Sequence, residues 1–150
     1  MKRNLLIAKI LLTVGVFEFF GPMVKDTGHS HLVNVEWVGH ARVHLAWLLG
    51  YMFFSGLVNL YFIWIRKPFR LENLYLSCLW QATHLVGFWA AILFVPMYEG
   101  AITDHRYHTH ILGIDENIFV FSVLSVVLIG AYVWIKTQVE PLLSESELST

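Results

Sequence analysis

Residues 38–65, VGHARVHLAWLLGYMFFSGLVNLYFIWI, decide the fold. The run holds one formal charge, Arg42, near its start, and it exceeds the roughly 20 residues a helix needs to cross a bilayer's hydrocarbon core. Its apolar residues are continuous rather than striped, so a soluble amphipathic helix does not account for them.

Three similar runs flank it, at about Asn4–Phe20, Leu71–Met97 and Ile118–Ile135. With 57% hydrophobic and 14% charged residues, the chain has too little polar surface for a soluble domain of 150 residues. The expected fold is therefore all-α: one integral membrane four-helix bundle spanning 1–150. The opening Met-Lys-Arg-Asn and its apolar stretch resemble a signal peptide, but no small-residue cleavage site follows Phe20, so the stretch reads as the first membrane helix.

Basic residues set the expected orientation. Lys2, Arg3, Lys9, Arg66, Lys67, Arg70 and Lys136 fall at one set of helix ends, against Lys25, Arg42 and Arg106 at the other. The positive-inside rule then places both termini in the cytoplasm. The loops around 21–36 and 98–117 face the periplasm, the extracellular space or a lumen. Seven of the eight histidines gather at that face.

Gly21-Pro22 reads as the end of the first helix, because proline disfavours helix before it and lacks an amide donor. The compact Arg66-Lys67-Pro68-Phe69-Arg70 turn predicts that the second and third helices are close antiparallel neighbours. The loop of about 20 residues before Ile118 is long enough to expect a function, such as a lid folding back. The polar tail after Pro141 has no apolar face and is expected to fray. Net charge of −1 and the lack of a long basic run argue against a nucleic-acid partner. The single Cys78 permits no intrachain disulfide and receives no role.

Candidate chemistry clusters at the histidine-rich end. Glu36, His40 and His44 are spaced four apart, so they rise along one helix face with a drift of about 40° per step. Two imidazoles at that spacing can share a transition metal, with iron, copper and zinc as the candidates. His105, His108 and His110 lie close together in the other loop and are candidate further ligands. Glu18 and His84 are ionisable groups inside apolar helices, which makes them functional candidates. Counting from the expected helix ends puts Glu18 level with His40 and His44, and His84 several residues deeper, at a pocket floor. The Glu-x-x-His motif of di-iron bundles is missing, and the His44–His84 depth difference argues against a haem held between them.

Each candidate also has a purely structural account. His40 and His44 can cap a polar helix end, and the loop histidines can be solvated. Glu18 can pair with Arg42. His84 can hydrogen-bond to Ser125 or Asn59. The tryptophans read as interfacial belts and bundle packing.

The segment Asn34-Val-Glu-Trp-Val-Gly-His-Ala-Arg-Val-His44, preceded by Asp26 and Gly-His-Ser-His, resembles the Trp-x-x-His-Ala-Arg-x-His signature of small, largely uncharacterised four-helix membrane proteins, distantly DoxX-like. The resemblance implies the four-helix fold, marks Trp37, His40, Arg42 and His44 as signature positions, and implies no particular reaction.

The first expectation for function is a metal-dependent membrane oxidoreductase acting on a lipophilic small molecule or lipid. Its metal ligands would be His40 and His44 with Glu36 or Glu18 and one or more of His105, His108 and His110; Arg42 would orient an anionic group. The second is a non-enzymatic metal or hydrophobic-ligand carrier, or a subunit of a membrane complex, including a homo-oligomer. The third is a metal-free isomerase in which Glu18, His44 and His84 supply acid and base.

Overall fold

The computed structural model describes residues 2–142. Among them, five α-helices carry the fold: α1 (Lys2–Gly15), α2 (Phe17–Asp26), α3 (Gly39–Leu60), α4 (Leu71–Leu93) and α5 (Glu116–Trp134). Single π turns extend α3 through Ile65 and α5 through Val139. Four helical segments among the described residues are long and apolar enough to cross a membrane: Lys2–Asp26, Gly39–Ile65, Leu71–Leu93 and Glu116–Leu142. Beyond Leu142 the tail expected to fray lies outside the described residues.

Gly21-Pro22 does not end the first span, contrary to the sequence expectation. The helix tightens at Val16 instead, where the Phe19 amide donates to the Val16 carbonyl at 3.0 Å, one residue tighter than an α-helical bond. Pro22 sits inside α2 and leaves the Glu18 carbonyl without its usual amide partner four residues on. Membrane-type helices tolerate such a proline because neighbouring groups and small backbone adjustments absorb the loss.

The second and third spans are neighbours joined by a short turn, as expected, but they stay close only near that turn. α1 lies along α5, and α2 against α3, whereas α3 and α4 meet chiefly through the Tyr61–Ile65 turn near their connection. Toward the histidine-rich end α3 and α4 diverge, and a cavity opens between them.

The interior combines apolar packing with a chain of polar links. Ala8, Leu12, Phe19, Leu74, Ala131 and Ile135 are fully buried. Ser77 donates to Asn59 Oδ1 at 2.8 Å, Asn59 donates to the Ser55 carbonyl at 2.9 Å, and the Gln81 amide donates to Ser77 Oγ and to the Leu12 carbonyl. These bonds join α1, α3 and α4 where no water competes. Outward lie Trp47, Phe54, Leu79, Val86, Val126 and Ile129, all exposed. Large apolar side chains outside a bundle that also buries polar links agree with four helices long and apolar enough to cross a membrane.

The 99–115 connection contains a feature absent from the all-α expectation, a hairpin of β1 (His110–Ile111) and β2 (Ile114–Asp115). Leu112 and Gly113 both have positive φ, 55° and 80°, as the tight turn with a right-handed strand twist demands. The hairpin packs on α5. Asp115 caps that helix, accepting from the Asn117 amide at 2.9 Å.

Candidate functional site

The predicted metal ligands separate into several places. Among the described residues no group of three or more His, Cys, Asp or Glu side chains converges as a metal site. His40 and His44, on the first turns of α3, do meet: their Nε2 atoms are 3.0 Å apart and their rings stand edge-on, with centroids 4.5 Å apart. Both are exposed.

Glu36 is engaged elsewhere. Arg106 donates to its two carboxylate oxygens at 3.0 and 2.7 Å, a bidentate fork on the surface. The bonds and charge of Arg106 hold the Glu36 carboxyl below its ordinary range, and Glu36 in turn raises the guanidinium. His108 turns inward to Asp115, with Nδ1 2.8 Å from Oδ2. Burial pushes the Asp115 carboxyl up, but hydrogen bonds from His108, Thr103 and the Asn117 amide, with the His108 charge, bring it below the usual aspartate range. His105 lines a cleft of about 440 Å³ with His31, Trp37, Asp104, Arg106 and His108. His110 is exposed on β1.

These contacts fasten the two connecting segments across the histidine-rich end. Lys25 reaches Glu116, and Thr109 holds the same carboxylate through its hydroxyl at 2.7 Å and its amide at 3.2 Å. Asp26 faces His31 at 3.5 Å and its carbonyl accepts from the Leu32 amide. Sequence reading singled out neither Lys25 nor Glu116, because a bond across 91 positions leaves no local trace.

Beneath this cap lies the pair that the interior isolates. Glu18 is 1% exposed, and its Oε2 is 3.7 Å from His84 Nδ1, beyond hydrogen-bond range. Among the described residues neither carboxylate oxygen, nor that imidazole nitrogen, has a hydrogen-bond partner. The His84 ring packs on Phe19, at 5.0 Å between centroids, and on Phe121, at 5.9 Å. Phe121 itself stacks on Phe88 at 3.9 Å.

This geometry corrects two expectations. Glu18 does not pair with Arg42, whose buried Nε has no hydrogen-bond partner among the described residues. Phe20 occupies the α2 face that meets α3, its ring filling the space a Cβ on Gly56 would need. Glu18, two residues earlier and thus about 200° around the helix, points away toward α4. Nor is His84 deeper than Glu18. With the first span running on to Asp26, Glu18 lies about two turns inside the helix end, which brings it level with His84. The alternative partners of His84 are occupied too: Ser125 accepts from Trp89 Nε1 at 3.0 Å, and Asn59 is held by Ser77 and Ser55.

Two cavities adjoin the pair. A smaller one of about 190 Å³ is lined by Glu18, Lys25, Glu116 and apolar neighbours. A larger one of about 540 Å³ is lined by His84, Leu48, Tyr51, Met52 and Phe88. Pro22, Asp26, Asn117 and Phe121 belong to both walls. A carboxyl and an imidazole thus stand side by side against mostly apolar walls, an arrangement with room for a hydrophobic body next to two groups able to exchange protons. Tyr51 and Asn117 were not foreseen as wall residues, although Tyr51 follows His44 by seven positions and so shares its helix face.

No family model matches the chain, and no curated protein or solved structure is significantly similar to it.

Proposed function

We propose that the protein is an integral membrane enzyme that isomerises a lipophilic small molecule by proton transfer between carbon centres. Glu18 and His84 supply the acid and base. One of the pair removes a proton from a C–H bond adjacent to an unsaturated group, the double bond migrates, and the other returns a proton to the far carbon. Atoms and charge balance with no oxidant or co-reactant. The orientation that goes with this reading puts both termini in the cytoplasm and the histidine-rich cap on the opposite side, following the distribution of Lys and Arg.

The observation that carries the reading is the buried Glu18 carboxylate, 3.7 Å from His84 and without a hydrogen-bond partner among the described residues, beside two cavities. Leaving such a group unpartnered is costly, and functional sites are where proteins bear that cost. The divergence of α3 and α4 gives a lipophilic molecule a side entrance, since Leu48 and Tyr51 are both exposed and on the cavity wall.

The test is solvent exchange. Purified protein in lipid nanodiscs, incubated in heavy water with a lipid extract, is expected to introduce deuterium into a discrete lipophilic component, and Glu18→Gln and His84→Gln are expected not to. Equal labelling by wild type and both variants overturns the proposal. A component retained by the protein without labelling instead identifies a binding or transport module.

A further inference from the structure

The His40–His44 pair plays no part in that proton transfer, yet its geometry is specific. Two ligand nitrogens bound to one ion at about 2.0–2.1 Å, with an angle between octahedral and tetrahedral, lie roughly 2.8–3.4 Å apart. The Nε2 atoms of His40 and His44 are 3.0 Å apart. We infer that these two side chains chelate one divalent late first-row transition-metal ion, of the zinc, copper or nickel type, at the mouth of the larger cavity.

The placement follows from the helix. Taking His40 as zero, His44 lies at about 40°, Leu48 at about 80° and Tyr51 at about 20° around α3, so all four occupy one narrow stripe. Leu48 and Tyr51 form part of the wall on which His84 lies. The stripe therefore runs from the imidazole pair directly into the cavity. Exposure of both histidines leaves the remaining coordination positions open to water or to a ligand's polar head. Glu36 cannot complete the site while Arg106 holds both of its oxygens. Imidazole pairs favour late transition metals over magnesium or calcium, which prefer oxygen.

A neutral imidazole can also donate to its neighbour at 3.0 Å, so the experiment must separate chelation from a simple N–H···N bond. Tag-free protein in nanodiscs is titrated with Co²⁺ and followed by its visible absorption, with bound metal counted by elemental mass spectrometry. One equivalent per chain is expected, lost in His40→Ala and in His44→Ala and kept in His110→Ala, an exposed histidine on the hairpin. Circular dichroism checks that each variant keeps its helices. No bound equivalent in the wild type, retention in either α3 variant, or equal loss in His110→Ala overturns the inference. Because the readout is metal and not turnover, its failure leaves the Glu18–His84 proposal untouched.

Discussion

Gln81 occupies the space that a side chain on Gly15 would need: a Cβ there would lie 2.0 Å from Gln81 Oε1. The same Gln81 donates to the Leu12 carbonyl at 3.1 Å, so its amide plugs into the concavity that Gly15 leaves between α1 and α4. Gly15→Ala is expected to force the buried amide aside and to cost about 1–3 kcal/mol, the range for overpacking a close-packed interior. Unfolding in mixed micelles measures it. A neutral effect would mean that α1 and α4 are free to separate.

The polar chain below that contact should matter less per bond. Asn59→Leu removes both the acceptor for Ser77 and the donor to Ser55. Hydrogen bonds between membrane helices contribute modestly, so a loss of about 1 kcal/mol is expected. The more sensitive readout is amide exchange at the middle of α4, which should quicken while exchange in the 99–115 connection stays unchanged.

The four apolar runs were legible from sequence because length and lack of charge are local properties. The bounds of α3 were legible for the same reason, with Arg66 and Pro68 supplying the stop. Pro22 misled, because its effect depends on what neighbouring helices offer to a broken ladder rather than on the residue itself. That one error displaced the expected depth of Glu18 relative to His84. The His40–His44 meeting was readable from a spacing of four on a helix. The fork of Arg106 on Glu36 and the facing of Glu18 to His84 span 70 and 66 positions, and only tertiary packing decides them.

The His108–Asp115 contact predicts a pH dependence of the cap. The Asp115 carboxyl is depressed in the folded protein, so the stability it contributes is fully present above the ordinary aspartate value and is lost as pH falls through the depressed one. At neutral pH, Asp115→Asn should speed amide exchange of the hairpin and the start of α5. Asparagine caps a helix as well as aspartate, so the cap itself is retained. On acidification the wild type should approach the variant. Parallel pH profiles for the two would show that the charge does nothing for the cap.

His84 should affect rate more than structure. It is partly exposed within the cavity wall and makes ring contacts that glutamine replaces only in part. Losing one member of an acid–base pair lowers turnover by about 10²–10⁴-fold. His84→Gln is therefore expected to reduce deuterium incorporation by that order while the thermal transition moves little. A large drop in stability with labelling preserved per folded molecule would assign His84 to packing.

Glu18 makes the opposite trade-off visible. Its carboxylate is buried without a hydrogen-bond partner among the described residues, a state that costs about 1–3 kcal/mol relative to an apolar side chain of similar size. Glu18→Met removes that cost and also the proton-transfer group. The variant is expected to unfold at higher denaturant than the wild type and to incorporate no deuterium. Stabilisation with loss of exchange is the signature of a group retained for chemistry at the expense of the fold. If Glu18→Met instead unfolds more readily, the carboxylate stabilises the bundle through His84, and the pair acts as an internal brace between α2 and α4.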